Sequence, residues 1–242
     1  MNLQIEGKKV LVTGGTRGIG EAIARVFVEE SVDTVFITGT QHRRGWWADA
    51  PRVEFIECDF KYDHSVDALL KAIDEQGIDI LINNAGVFTN TLIQNSELCH
   101  FTEIMDINLR SAWRLIQGCI THMGSLGWGR IVNISSIASI VSRPGMTAYS
   151  TSKAALEGLT RSAAIELADR GILVNAVCPA YVETDMLKAL DDTARQQLLD
   201  KIPLNRFGAV SDIASQVAML ASNQNQFITG QSIVIDGGAT IQ

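Results

Sequence analysis

Tyr149 and Lys153 stand four residues apart in an Ala-rich stretch that reads as a helix, so their side chains share one face. A phenol loses its proton near pH 10 and is a slow acid at neutrality, but a neighbouring ammonium favours the phenolate and draws that value down. The pair therefore has the makings of a general acid/base near neutral pH. A second stretch with chemistry in it lies near the N-terminus. Gly14-Gly15-Thr16-Arg17-Gly18-Ile19-Gly20 follows a short apolar run and precedes a segment of helical period. Glycines at a strand-to-helix turn let backbone N–H groups approach a pyrophosphate, whose charge is favoured at a helix N-terminus. The spacing is G-x-x-x-G-x-G, which differs from the G-x-G-x-x-G of the general dinucleotide fingerprint.

The elements that must position these groups alternate. Lys8–Thr13, Thr34–Thr38, Val53–Glu57, Ile78–Ile82, Gly129–Ile134, Ile172–Val177 and Ser232–Ile235 are short apolar runs suited to strands buried on both faces. Helical periodicity fills Glu21–Glu30, Ser65–Gln76, Glu97–Ser125 with breaks near Gly118 and Gly124, Tyr149–Asp169, and a helix to Ala221 with Ser211 as its N-cap. Alternation of this kind predicts an α/β fold with one parallel, doubly wound sheet in a single domain spanning residues 1–242. The more polar segment 182–206 reads as a mobile lid over the pocket. Asn108 sits inside a helical stretch where propensity disfavours it, which assigns its side chain a specific task.

At the end of the second strand, dinucleotide folds usually carry an acid that holds the adenosine ribose. Here the chain reads Gly39-Thr40-Gln41-His42-Arg43-Arg44. No acid opposes a 2′-phosphate, and Arg17, Arg43 and Arg44 are able to neutralise one. NADP(H) is favoured, with NAD(H) as the alternative. Trp46 and Trp47 either cover the adenine side or pack. Asp59, after the third strand, is placed to accept from an adenine amino group.

A chain of 242 residues that is 46% hydrophobic suits one sizeable core and excludes a disordered chain. The formal net charge of −7 argues against nucleic acid or an anionic membrane as partner. Cys58, Cys99, Cys119 and Cys178 are far apart, without a C-x-x-C pair, and read as reduced core residues of a cytoplasmic protein with no metal site. No signal sequence or bilayer-spanning stretch is visible.

Thr13-Gly14 with Gly18 and Gly20, Asn83-Asn84-Ala85-Gly86, Asn108, Ser136, Tyr149 with Lys153, and Pro179 occur in one order. This combination resembles the short-chain dehydrogenase/reductase family over nearly the whole chain, and most of all its 3-oxoacyl-carrier-protein reductase-like members. The resemblance implies a Rossmann domain with strand order 3-2-1-4-5-6-7 and interconversion of a ketone and a secondary alcohol. It implies that Tyr149 is the proton donor, that Lys153 lowers the Tyr149 pKa and binds the nicotinamide ribose, and that Ser136 holds the substrate carbonyl. Asn108 would hold a water linking Lys153 to solvent. Gly14, Thr16, Arg17, Gly18, Ile19 and Gly20 would line the phosphates, with Gly39, Thr40 and Arg43 at the adenosine ribose and Asp59 and Phe60 at adenine. Asn83, Asn84, Ala85 and Gly86 would line the adenosine-side cleft, and Pro179, Val182 and Thr184 the nicotinamide. Ser136, Ile137, Met146, Tyr149 and Met186 would face an apolar or acyl substrate, with Val141 and Leu187 nearby.

Two departures accompany the resemblance: Pro179 is followed by Ala180 where the family usually has Gly, and the stretch between the second and third strands is short. Arg170 matches one of the basic positions such reductases use beside the site entrance for a carrier, whereas Gly127 occupies another. A specialised metabolite, sugar or cyclic alcohol is the alternative substrate, and a non-catalytic nucleotide sensor the alternative class. A homotetramer is expected, with a homodimer as the alternative.

Overall fold

A computed structural model describes residues 3–41, 45–188 and 191–241 of the chain. Arg43 and Arg44 lie outside the described residues, as does the side chain of Met186. Seven strands form one sheet: β1 (Lys9–Val12), β2 (Thr34–Gly39), β3 (Val53–Glu57), β4 (Ile80–Asn83), β5 (Gly129–Ile134), β6 (Ile172–Pro179) and β7 (Ser232–Ile235). Their order is β3-β2-β1-β4-β5-β6-β7, and every pairing is parallel. Helices α1 (Gly18–Glu29), α2 (Asp63–Gln76), α3 (Leu98–Met105), α4 (Ser111–Leu126), α5 (Thr147–Leu167), α6 (Asp185–Lys188), α7 (Asp192–Leu199) and α8 (Val210–Leu220) complete the chain.

The strands are apolar throughout because both faces are covered. In β1, Val10 and Val12 join the core layer under α1 and α8, while Leu11 joins the layer under α2, α4 and α5. The same alternation recurs with Val35 and Ile37 against Phe36, and with Ile80 and Ile82 against Leu81. The sheet order reverses between β1 and β4, and the loops after the strand C-termini flank that switch point, where α/β folds of this kind bind ligands.

Several local readings need correction. The helical stretch does not break at Gly118 or Gly124; α4 runs to Leu126 and ends at left-handed Gly127. Gly118 is small because α2 packs there: a Cβ would lie 2.8 Å from a Leu70 methyl. The irregularity falls instead at Asp106–Arg110, a π-helical turn joining α3 to α4. The residue before α8 is Ala209, not Ser211, and the Asp212 carboxylate caps the helix by accepting the Ala209 N–H at 2.9 Å. Cys58, Cys119 and Cys178 are buried as expected, but Cys99 is exposed at the start of α3. Among the described residues no helix is long and apolar enough to cross a membrane.

Candidate active site

The C-terminal end of β5 delivers Ser135 and Ser136, and the first turns of α5 deliver Tyr149 and Lys153. Ser136 Oγ accepts the Ala138 N–H at 3.1 Å, and its hydroxyl favours the ionised form of Tyr149. Lys153 is 4% exposed, donates from Nζ to Ile134 O at 2.7 Å, and lies 5.7 Å from the Tyr149 ring centroid. Burial pushes the Lys153 ammonium down to about 8. Burial also pushes the Tyr149 phenol above its usual value, with Ser136 opposing the rise. The net shift of Tyr149 is thus upward, with burial as its largest cause. Desolvation dominates both groups, and the ammonium is spent on a backbone carbonyl.

Asn108 lies in the π-helical turn, a feature frequent at functional sites. Its Oδ1 accepts the Val87 N–H at 2.8 Å, and its Nδ2 donates to Val87 O at 2.9 Å and to Ser152 Oγ at 3.0 Å. The side chain ties the loop after β4 to α5. Gly86 admits the arrangement, since a Cβ there would lie 3.3 Å from Asn108 Oδ1 and 3.5 Å from Lys153 Nζ.

The glycine turn closes tightly on its neighbours. Thr13 Oγ1 accepts the N–H groups of Asn84 and Ala85, each at 2.9 Å, and Asn84 Nδ2 donates to Thr13 O at 2.8 Å. A Cβ on Gly20 would stand 2.3 Å from Gly14 O, and Gly14 and Gly18 have φ of +65° and +59°. Arg17 supplies no side-chain cap to α1, whose leading N–H groups have no intrahelical acceptor. A Cβ on Gly18 would be 3.6 Å from a Thr184 methyl, so the start of the 182–206 segment faces the turn. These features fit a dinucleotide pyrophosphate laid across the crevice.

Gly39 abuts Thr16, where a Cβ would come within 2.6 Å of the Thr16 methyl, and Thr40 is exposed at the end of β2. Arg17 is exposed, with no ion-pair partner among the described residues. Asp59 accepts the Lys61 N–H at 3.0 Å, whereas the Phe60 side chain is buried in the core. Trp46 Nε1 donates to Gly15 O at 3.2 Å and Trp47 stacks on Phe55 at 5.2 Å, so both indoles pack around the turn.

On the substrate side, Ile137, Met146 and Val182 are buried, Pro179 ends β6, and Val182 bridges to Gly208. Arg170 precedes β6, at the sheet end opposite Ser136, so within one chain it is not beside the site. Phe88, Asn133 and Glu157 were missed. Phe88 meets Tyr149 edge to face at 5.2 Å. Asn83 Nδ2 donates to Asn133 Oδ1 at 2.8 Å, and Asn133 in turn to Thr160 at 2.9 Å, pinning β4, β5 and α5 together. Glu157 Oε1 accepts from Ser135 at 3.2 Å, from Ser139, and from Cys178 at 3.3 Å. The signal for Glu157 was its place four residues after Lys153 on the same helix face.

A family model described as enoyl-(acyl carrier protein) reductase matches residues 14–240. The chain is 40% identical to the 3-oxoacyl-(acyl-carrier-protein) reductase of Aquifex aeolicus, over 98% of this chain and 99% of that protein. The Vibrio cholerae protein of the same name is 36% identical over 98% of each. Among solved structures, a gluconate 5-dehydrogenase from Burkholderia cenocepacia in complex with NADP and tartrate has a TM-score of 0.91 at 29% identity, covering 100% of this chain and 98% of that one. Another, described as a short chain dehydrogenase/reductase family protein, has a TM-score of 0.90 at 35% identity, covering 99% and 100%.

Proposed function

Because the chain belongs to the short-chain dehydrogenase/reductase family, we propose that it reduces the ketone of a 3-oxoacyl thioester to a secondary alcohol. NADP(H) is favoured over NAD(H). The observation that carries the reading is the convergence of Ser136, Tyr149 and Lys153 beside a glycine cradle at the switch point of the sheet. The cofactor supplies the hydride when bound. Gly14, Thr16, Arg17, Gly18, Ile19 and Gly20 hold its phosphates, and Pro179, Val182 and Thr184 its nicotinamide end. The hydroxyls of Ser136 and Tyr149 hold the substrate carbonyl, and Tyr149 O–H gives up its proton as negative charge develops on that oxygen. Lys153 stabilises the phenolate left behind, and Asn108 sustains the route by which the proton is replaced. Segment 182–206 closes over the pocket as a lid within the one domain.

The relatives named as 3-oxoacyl reductases support the acyl substrate, and the NADP-bound neighbour supports the cofactor. That neighbour's likeness also keeps a sugar-acid substrate as the second reading. A paired titration with NADPH and NADH, read by tryptophan fluorescence, tests the cofactor choice, since Trp46 is bonded to the cradle. Tight NADPH binding and turnover of a 3-oxoacyl thioester are expected. Binding of neither nucleotide would refute the enzymatic reading.

The same reading places the protein in the cytoplasm, in keeping with four free thiols. It assembles as a homotetramer, with a homodimer as the alternative. Leu98, Ile165 and Phe227 are 79%, 82% and 99% exposed, apolar surface that a second copy would cover. A monodisperse monomer in light scattering would remove the assembly from the proposal.

A further inference from the structure

Two loops frame the substrate side of the site: residues 136–146 after β5, and residues 180–184 after β6. Arg143 reaches across them. Its Nε donates to Met146 Sδ at 3.0 Å on its own loop, and its guanidinium lies 5.7 Å over the Tyr181 ring on the other. A thioether is a weak acceptor and a ring face takes no fork of N–H donors, so the terminal Nη groups keep their hydrogen-bonding capacity. The other arginines of this region are neutralised: Arg195 pairs with Glu183 at 2.6 Å and Arg206 with Asp212 at 2.7 Å. Among the described residues Arg143 has no carboxylate partner. It is exposed, in a chain whose net charge is −7.

We propose that Arg143 is a subsite for an oxyanion, carboxylate or phosphate, carried by the substrate, and that it selects anionic ketones over neutral ones. The planar guanidinium, braced on one loop by Met146 and on the other by Tyr181, presents its free edge to a planar or tetrahedral oxyanion. In an acidic protein such an isolated cation also focuses anionic substrate toward the pocket. The cation expected from sequence at this place was Arg170, which the fold carries to the far end of the sheet. The proposal rests on the ketone-reductase reading for its kinetic test and not for its binding test.

The kinetic test compares three ketones in the parent enzyme and in Arg143→Gln. One is acetoacetyl-coenzyme A, with phosphate on the thiol arm. The second is a 3-oxo ester ending in a carboxylate on the acyl side, and the third is the neutral N-acetylcysteamine thioester. Loss of a charge-assisted bidentate contact corresponds to about a tenfold fall in the ratio of kcat/KM for anionic over neutral substrate. The change should sit in KM, and Arg143→Lys should recover part of it. A fall confined to one anionic probe identifies which end of the substrate faces Arg143. An unchanged ratio for both anionic probes overturns the proposal. If no ketone is turned over, the reductase reading fails instead, and calorimetric binding of tartrate to the NADPH complex still decides the subsite. Parent binding that weakens about tenfold in Arg143→Gln supports it, and equal affinity or no binding to the parent refutes it.

Discussion

Lys153 is held at a stability disadvantage that its replacement should relieve. The ammonium is 4% exposed and burial brings it from 10.5 to about 8. That descent corresponds to about 3 kcal/mol of unfavourable burial wherever both folded and unfolded chains carry the charge. Methionine has a similar length and no charge, so Lys153→Met removes this term. It also removes the bond to Ile134 O and leaves that carbonyl unpaired, an offset of about 1–2 kcal/mol. The variant should be more stable than the parent by about 1–2 kcal/mol at pH 7, or about 2–8 °C in Tm for a chain of this size, while losing turnover.

The pH dependence separates desolvation from ordinary repacking. Between about 8 and 10.5 the unfolded lysine keeps a proton that the folded one has released. The unfolded state then binds more protons, so the parent gains stability as pH rises, by up to about 1.4 kcal/mol per pH unit. The variant lacks this gain. Its advantage should be full below pH 8, shrink through pH 9, and be lost before pH 10.5. Urea unfolding of both proteins at pH 7 and pH 9.5 measures the gap. A variant less stable at pH 7, or a gap unchanged at pH 9.5, would refute the reasoning.

Three more outcomes follow from the same geometry. Tyr149→Phe should abolish turnover and leave NADPH binding within about twofold, because the phenol oxygen is the proposed proton donor and the ring still packs against Phe88; a tenth of parental turnover would contradict that role. In ketone reduction, kcat/KM should stay flat from pH 6 to 7.5. It should then fall as Lys153 loses its proton near 8, while Tyr149, pushed upward by burial, stays protonated; a flat profile to pH 9.5 would exclude Lys153 as the titrating group. Glu157→Gln should lower kcat about tenfold with little change in NADPH affinity, because the carboxylate gathers Ser135, Ser139 and Cys178, and Ser139 Oγ also donates to Ser136 O at 2.6 Å. A change in KM alone would assign Glu157 to substrate binding instead.

What was legible in the sequence is what one segment encodes by itself. Val10, Leu11 and Val12 read as a strand covered on both faces, and each face indeed has its own core layer. The turn at 14–20 and the Tyr149–Lys153 spacing each lie within a few residues, so their local geometry could be read without a fold. The misreadings that matter most for the fold turn on a partner from elsewhere in the chain. Gly118 looked like a helix breaker until Leu70 of α2 was seen against it. Arg170 matches an entrance position by sequence, yet within one chain the direction of β6 places it at the other end of the sheet from Ser136. The Tyr149–Lys153 pair shows this most clearly. Spacing gives the nearness of an ammonium to a phenol, but the pKa of each depends on how much water every surrounding element removes. Here burial on all sides outweighs the four-residue spacing, and Ser136 from the end of β5 only partly opposes it at Tyr149. A motif therefore fixes which groups meet, and the packing around it fixes what their protons do.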